Sequence, residues 1–331
     1  MEAPTTPLTC IHIGYHKCAS TFLQEKLFPQ IADTNEDLKR PLHGSAGERP
    51  QLLDWLTDPQ FDSALIRDNA EEAAFFGKGE RLVISQEELS GHLLGYDLTD
   101  PHLIARNLHR TFPEARILAV VRNQVDFLTS LYCYRVAIRG HETRTFDAFL
   151  DEDLPRGLEK QLRFHELLSL YRELFGDEKV LVLPMEQLIR DETEFLEQIC
   201  SFLDIAEIPE MESGKTNRGS RQKMLIGLFR RTNIAFDAFL RLRARLDGKG
   251  AEAVDTRHSR LLAYFPLRNR YYSWQRRMSY AMARRFPRAR KVDFAREIAR
   301  HRLAERFADS NRTLRDSGLV DWDPADFGYP V

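Results

Sequence analysis

The sequence has few of the features that mark secreted or membrane-spanning proteins. Its four cysteines lie far apart and form no C-x-x-C pair, which argues against a disulfide framework and against a zinc site. No stretch approaches the roughly 18 consecutive apolar residues of a membrane-spanning helix. The segment M-E-A-P-T-T-P has neither the basic start nor the apolar run of a secretion signal, and internal repeats are absent. A protein of the reducing cytoplasm is therefore expected.

What the sequence does contain is an alternation of short apolar runs with amphipathic stretches. With 331 residues, 43% of them hydrophobic, the chain has ample material for a core. The alternation is typical of an α/β fold, in which a central parallel sheet is flanked by helices in the three-layer arrangement of phosphate-loop proteins. Strands are predicted at Leu8–Ile13, Arg81–Ser85, Arg116–Val121 and Lys179–Leu183. Helices are predicted at Thr21–Ile31, Pro101–Thr111, Val125–Arg139, Gly157–Phe175 and Glu192–Leu203.

The segment around the first strand has the pattern of an anion-binding loop. A strand-like L-T-C-I-H-I breaks at Gly14, Y-H-K-C-A-S-T follows, and F-L-Q-E-K-L has a helical pattern. A helix that begins directly after a buried strand points unpaired N–H groups and the positive end of its dipole at the loop. Lys17 adds a positive charge, and Ser20 and Thr21 add hydroxyl donors. The alternative is a plain strand-to-helix turn capped by Ser20.

The loop departs from that of nucleotide triphosphatases. Their motif G-x-x-x-x-G-K-[ST] places the hydroxyl that holds magnesium directly after the lysine. Here Cys18 and Ala19 separate Lys17 from its hydroxyls, and no second glycine precedes the lysine. An ordinary ATPase or GTPase is therefore disfavoured.

A second anion-binding segment follows the third predicted strand. In V-V-R-N-Q-V-D-F-L-T-S-L-Y, Arg122 stands at the strand end and Ser130 lies about two turns into the next helix. An arginine fork and a hydroxyl at these positions suit a second phosphate. Because ligands of parallel sheets bind at the carboxyl ends of the strands, Lys17, Glu87 and Arg122 are expected to meet at one edge.

Together the two motifs resemble those of the bacterial and other sulfotransferases that use 3′-phosphoadenosine 5′-phosphosulfate (PAPS). In that family the 5′ loop reads P-K-[ST]-G-[ST]-[ST] and the 3′ segment reads R-N-P-x-[DE]-R-x-x-S-x-[YF]. This chain has H-K-C-A-S-T at 16–21 and R-N-Q-V-D-F-L-T-S-L-Y at 122–132. K-T-N-R-G-S-R at 215–221 resembles the family's basic loop over the nucleotide, and S-N-R-T-L-R-D-S-G-L at 310–319 resembles the C-terminal tail of many members.

The departures from these motifs fall on residues that shape the backbone more than on those that bind anions. His16 replaces proline and Ala19 replaces glycine in the 5′ loop, while Gln124 replaces proline and Phe127 replaces arginine in the 3′ segment. Alanine has less backbone freedom than glycine, so a distinct loop shape is expected. The expected nucleotide-binding residues are His16, Lys17, Cys18, Ala19, Ser20, Thr21, Arg122 and Ser130, together with Arg218, Gly219 and Arg221 from the basic segment.

The resemblance implies transfer of a sulfuryl group from PAPS to a hydroxyl or amine of an acceptor, with the nucleotide 3′-phosphoadenosine 5′-phosphate (PAP) as product and no metal. Lys17 would bind the 5′-phosphosulfate and neutralise charge on the leaving nucleotide. The acceptor is expected to be a carbohydrate or glycoconjugate, and nucleic acid is not expected because a recognised reader motif is missing.

The base is expected just past the second predicted strand, in I-S-Q-E-E-L-S, where the family commonly places a histidine or glutamate. Glu87 is the first candidate and Glu88 the second, because neighbouring residues of an extended segment point to opposite sides. His16 is a further candidate. Alternatively, the two acids only open a helix and complement its dipole.

The C-terminal part of the chain is strongly basic. Residues 213–306 carry 25 Lys and Arg against 7 acids, although the net charge of the chain is −2. Long Arg-rich helices are predicted at Lys223–Leu246, Tyr272–Phe286 and Asp293–Phe307. They are either solvated faces or a basic lid over an anionic cofactor or acceptor. The apolar spacing of the first helix is more typical of a core or dimer face than of a membrane anchor; a homodimer and peripheral membrane contact both stay open.

The chain is accordingly divided into a PAPS-binding α/β core at 1–212 and a basic lid loop with helices at 213–331, packed on the same domain. Two rival functions remain. A kinase of the phosphate-loop class would need a hydroxyl directly after Lys17, where Cys18 is a poor substitute. A non-catalytic protein that binds nucleotide or polyanion would keep the anion-binding residues but lack a base.

Overall fold

Five parallel strands form the central sheet of the structure, a computed structural model that describes residues 8–34, 38–43, 56–58, 61–64, 66, 81–91, 100–206, 223–248, 265–285 and 292–331. The strands are β1 (Leu8–His12), β2 (Leu38–His43), β3 (Arg81–Ser85), β4 (Arg116–Val121) and β5 (Val180–Pro184). Their order across the sheet is β2-β3-β1-β4-β5, and each neighbouring pair is parallel. The predicted α/β fold is confirmed.

Sequence analysis missed β2, which lies at an edge of the sheet. Its sequence, L-K-R-P-L-H, lacks the continuous apolar run of a buried strand. Pro41 has no N–H to donate to a neighbouring strand, which restricts such a segment to an edge. The pairing of β2 with β3 shifts register between Lys39 and Leu42.

Helices surround the sheet. The helix α1 begins at Ser20–Phe22 and continues through a π-helical turn, Leu23–Leu27, into Phe28–Thr34. The others are α2 (Pro101–Thr111), α3 (Gln124–Ala137), α4 (Phe146–Asp153), α5 (Phe164–Phe175), α6 (Met185–Arg190), α7 (Glu192–Phe202), α8 (Lys223–Leu246), α9 (Phe265–Arg285), α10 (Ala295–Arg300) and α11 (Leu303–Asp316). Because β4 is buried at five consecutive residues, Ile117 to Val121, both of its faces are covered.

Two predicted helices are interrupted in the structure. The stretch predicted at Gly157–Phe175 is broken near its start, where Gly157 has a φ of 122°, and α5 begins only at Phe164. The stretch predicted at Asp293–Phe307 is divided between α10 and α11 by Arg302, whose φ is 50°. The short helices α4 and α6 were not predicted.

The basic helices α8 and α9 pack on α3 through buried amide side chains. Asn233 of α8 donates to the carbonyl oxygens of Val136 and Glu142, at 3.0 and 2.9 Å. Gln275 of α9 donates to the same Val136 carbonyl and to the Asn233 side chain, both at 2.9 Å. Among the helices that the structure describes, none is long and apolar enough to cross a bilayer.

The C-terminal segment returns to the loop after β4. Asn311 of α11 and Gln124, both fully buried, exchange hydrogen bonds through their side-chain amides, at 2.7 and 3.2 Å. Asn311 also donates to the Pro330 carbonyl at 2.7 Å, and Asn123 donates to the carbonyl of Gly328. Gln124 stands where the related 3′ motif has a proline, so here an amide pair with the C-terminal segment takes the place of a rigid ring.

We expect Asn311→Ala to lower the free energy of unfolding by about 2 kcal/mol, because it removes two of the hydrogen bonds of the buried Gln124 amide and leaves its Oε1 without the donor from Asn311. Chemical denaturation measures this change. Thr313→Ala, on the exposed side of the same helix, is the control and should change stability by less than about 0.5 kcal/mol. A double-mutant cycle with Gln124→Ala that gave no coupling energy would contradict the assignment of this pair.

Candidate active site

A sharp left-handed turn after β1 carries Lys17 to the carboxyl edge of the sheet. Lys17 and Ala19 have φ angles of 65° and 63°, which glycine adopts freely and residues with a side chain adopt at a cost. Ala19 is the N-cap residue of α1, so the turn leads directly into the helix. Such strained residues cluster at ligand-binding loops.

Arg122, directly after β4, reaches into the same loop. It is only 8% exposed, and its Nη1 donates a 3.2 Å hydrogen bond to the Lys17 carbonyl oxygen. Its Nε is buried without an acceptor among the residues that the structure describes. The ammonium of Lys17 lies 4.3 Å from the centre of the Tyr134 ring, a cation–π contact that orients the lysine. Two cationic groups thus meet beside the start of α1, where an anion is favoured.

His16 and Glu87 join the loop after β1 to the 3₁₀ turn Glu87–Ser90 after β3. The His16 Nδ1 and the Glu87 Oε2 are 2.6 Å apart. Burial by itself raises the pKa of Glu87, but the hydrogen bond from His16 and the charges of His16 and Lys17 outweigh it and lower the pKa below the usual range. Glu87 is therefore ionised, and because a carboxylate only accepts hydrogen bonds, His16 donates from Nδ1.

A second histidine, His12, contacts Ser85 at the end of β3, directly before this turn. The His12 Nδ1 lies 2.7 Å from the Ser85 hydroxyl, which also accepts a 3.0 Å hydrogen bond from Gln24 Nε2. Burial lowers the pKa of His12 to about 4, against a smaller opposite effect of Glu87, so the ring is neutral near pH 7. A Cβ at position 14 would lie 2.6 Å from this ring. Gly14 is therefore required by the close approach of the His12 side chain.

The family described as the sulfotransferase domain matches residues 9–218, which is more than half of the chain. The chain belongs to the sulfotransferase family. The matched range contains the loops that carry Lys17, Glu87 and Arg122, so the family match and the described site coincide. Transferase activity follows from membership of the family.

Several solved sulfotransferases are similar to the chain at low sequence identity. A sulfotransferase from Alicyclobacillus acidocaldarius is 16% identical, with a TM-score of 0.45, over 75% of this chain and 98% of its own. Mouse sulfotransferase SULT7A1, solved in complex with PAP, is 17% identical, with a TM-score of 0.36, over 70% of this chain and 66% of its own. The sulfotransferase domain of the Synechococcus PCC 7002 olefin synthase is 15% identical, with a TM-score of 0.34, over 62% and 76%. No curated protein matches the sequence significantly.

The structure of this sulfotransferase brings most of the residues predicted for the site to one edge of the sheet. Ser20 is buried at the first position of α1, and Thr21 next to it is half-buried. Ser130 is buried on α3, four residues before Tyr134 and hence on the same helix face. Among the described contacts, Glu87 rather than Glu88 pairs with His16. The predicted lid residues Arg218, Gly219 and Arg221 lie outside the described residues.

Cys18 plays a different part from its loop neighbours. Its side chain is fully buried, with Sγ 3.5 Å from the His16 carbonyl oxygen. Burial raises the pKa of the thiol well above its ordinary value, more than the nearby charge of Arg122 lowers it. The Cys18 side chain is therefore a neutral, buried thiol that packs beneath the loop. It supplies no charge to an anion.

Sequence reasoning did not identify Tyr134 or Glu186 as part of the site of this sulfotransferase. Tyr134 could have been found from its spacing, because it stands one turn after Ser130. Glu186 comes from the start of α6, and accepts hydrogen bonds from the Asn123 N–H at 3.2 Å and the Tyr329 hydroxyl at 3.1 Å. It couples the loop after β4 to the C-terminal segment, a contact across 143 residues that no local pattern predicts.

We expect Ala19→Gly to raise the free energy of unfolding by about 1 kcal/mol, because glycine relieves the left-handed strain at this position. Thermal or chemical denaturation measures the effect. The same replacement at Ala235, an exposed position in the interior of α8, is the matched control and should lower stability by about 1 kcal/mol. A loss of stability at both positions would show that the turn at Ala19 is not strained.

Proposed function

We propose that this sulfotransferase moves the sulfuryl group of PAPS to a hydroxyl or amine of an acceptor. The observation that carries the proposal is the meeting of Lys17, Arg122 and ionised Glu87 on three neighbouring loops at one edge of the sheet. A transfer of this kind needs a cation at the leaving phosphate, a clamp for the nucleotide and a base for the acceptor proton. Each need is matched by a group in this cluster.

The donor would bind across the loops after β1 and β4. The N–H groups at the start of α1, with Ser20 and Thr21, would hold the 5′-phosphosulfate. The buried Nε of Arg122 would donate to the 3′-phosphate, with the Ser130 hydroxyl beside it. Lys17, oriented by Tyr134, would neutralise the charge that develops on the leaving phosphate.

Glu87 would take the acceptor proton. The acceptor oxygen or nitrogen attacks sulfur, the bond from sulfur to the bridging oxygen of the 5′-phosphate breaks, and PAP leaves with that electron pair. The proton lost by the acceptor goes to Oε1 of Glu87, while His16 holds Oε2. Because the pKa of Glu87 is lowered, its side chain is a carboxylate near pH 7, the form that can accept a proton.

The remaining features of the function are also proposals. The acceptor is a carbohydrate or glycoconjugate, and the enzyme works in the cytoplasm. The basic lid loop with Arg218, Gly219 and Arg221, which lies outside the described residues, would close over the nucleotide, and the region 213–331 would belong to the same domain as the core 1–212. Support for the lid comes from its basic composition and from its place in the chain directly before α8.

We expect Arg122→Ala to weaken PAP binding by at least about tenfold, because a charge-assisted hydrogen bond to the 3′-phosphate is lost. Isothermal titration calorimetry with PAP measures the change. Arg312→Ala, an exposed position on α11, is the control and should leave binding unaltered. Tighter binding of ATP with magnesium than of PAP would overturn the donor assignment.

We expect Glu87→Gln to reduce kcat far more than it reduces PAP affinity, because the amide cannot take a proton. In the wild type, the rate should fall as pH drops through the lowered pKa of Glu87. His16→Ala removes the hydrogen bond and the charge that lower this pKa most, and leaves burial opposed only by the smaller effects of Lys17 and His12, so the acid limb of the profile of kcat/KM against pH should move to higher pH. An unmoved acid limb would show that His16 does not set the ionisation of Glu87. An unchanged kcat in Glu87→Gln would remove Glu87 from the role of base.

A further inference from the structure

Helices α8 and α9 each expose an apolar stripe to solvent. On α8 the stripe consists of Leu228, Phe239, Leu242 and Leu246, which are 49%, 50%, 57% and 76% exposed. Their spacing of 11, 3 and 4 residues keeps them on one side of the helix. This side is distinct from the one that packs on the core through Leu225, Ile226 and Phe229. An exposed stripe of such large apolar residues marks an interaction surface rather than a solvated face.

Helix α9 likewise exposes large apolar side chains along one side. Leu267, Trp274 and Met278 are large exposed side chains at spacings of 7 and 4 residues. Three exposed arginines, Arg270, Arg277 and Arg284, recur every seven residues along its border. Apolar residues with arginines along one side are typical of a helix that lies in the boundary between water and lipid.

The two stripes lie on either side of the seam where α8 and α9 contact each other through Phe236 and Tyr271. The Phe236 ring of α8 stacks on the Tyr271 ring of α9 at a centroid distance of 4.0 Å. Phe239 lies 6.2 Å from Phe236, and Trp274 lies 5.9 Å from Tyr271. The four rings therefore form a continuous row across the seam, with an exposed ring at each end. We name the two stripes with their bordering arginines the α8–α9 surface.

The charge of the two helices identifies the partner. Together α8 and α9 contain 12 Lys and Arg and one Asp, a charge of +11, whereas the whole chain has a charge of −2. A second copy of the chain, paired through this surface, would place Arg270, Arg277 and Arg284 of both copies against each other, because a two-fold interface joins the same patch on both subunits. A hydrated polyanion would match the arginines but leave the leucines, Phe239 and Trp274 in water. An anionic lipid surface satisfies both.

We propose that the α8–α9 surface docks on the anionic headgroups of a lipid bilayer. The leucines, Phe239 and Trp274 enter the boundary between headgroups and acyl chains, and the arginines bind lipid phosphates. The helices lie along the membrane and do not cross it. This attachment is independent of the proposed sulfuryl transfer, because none of its residues belongs to the nucleotide site.

The test is sedimentation of the full-length protein with vesicles of phosphatidylcholine alone or mixed with phosphatidylglycerol. We expect binding to the mixed vesicles that is at least about tenfold tighter than to phosphatidylcholine, and that weakens as salt is added. Leu242→Glu combined with Leu246→Glu should weaken binding to the mixed vesicles by about tenfold or more. Arg270→Gln combined with Arg277→Gln should also weaken it, by about thirtyfold, because each arginine near an anionic surface contributes about 1 kcal/mol.

Matched controls use equally exposed residues elsewhere. Ile189 on α6 is 74% exposed, close to the 76% of Leu246, so Ile189→Glu should leave vesicle binding unchanged. Arg296→Gln combined with Arg312→Gln controls for charge. Absence of binding to the mixed vesicles would overturn the proposal, as would binding that survives Leu242→Glu with Leu246→Glu. A dimer in sedimentation equilibrium that dissociates in this double variant would also overturn it, by assigning the surface to a second copy. Calorimetry with PAP on the same variants separates this outcome from failure of the nucleotide site.

Discussion

The site depends on the hydrogen bonds by which the loops after β3 and β4 hold the loop after β1. Arg122, after β4, binds the Lys17 carbonyl on one side, and Glu87, after β3, binds His16 on the other. The left-handed residues of the loop gain no stability from their own conformations, so the neighbouring loops must stabilise the turn. The same contacts bring the lysine, the arginine and the carboxylate together. Chemistry and loop shape therefore depend on one set of bonds.

The loop after β4 is in turn held by the far end of the chain. Gln124 is paired with Asn311, and Glu186 connects Asn123 to Tyr329. A proline in the place of Gln124 would restrict the backbone by its own ring. The Gln124 amide instead relies on Asn311, which lies 187 residues further along the chain. The backbone at position 124 is therefore restrained by a tertiary contact in place of a local ring. The C-terminal segment thereby helps to position the loop that carries Arg122.

The uneven distribution of charge has a structural counterpart. Helices α8 and α9 carry a charge of +11 between them, and the rest of the chain carries −13. These helices attach to α3 through Asn233 and Gln275, whose buried amides leave the basic faces outward. A chain of nearly neutral net charge therefore presents a strongly basic surface on one side. Such a field attracts anionic partners whatever the net charge of the protein.

Sequence patterns determined much of the fold and the choice of site residues. Val- and Ile-rich runs located four strands of the sheet because a buried parallel strand must be apolar throughout, and the spacing of Lys17, Arg122 and Ser130 indicated an anion clamp. The edge strand β2 escaped detection because an edge accepts charge and proline, and the short helices α4 and α6 carry too few turns for a clear period. Sequence alone left Glu87, Glu88 and His16 as alternatives for the base. Only the tertiary structure paired Glu87 with His16 and turned an apolar stripe of α8 outward, because hydrogen bonds between loops and the face a helix buries depend on residues that are distant in sequence.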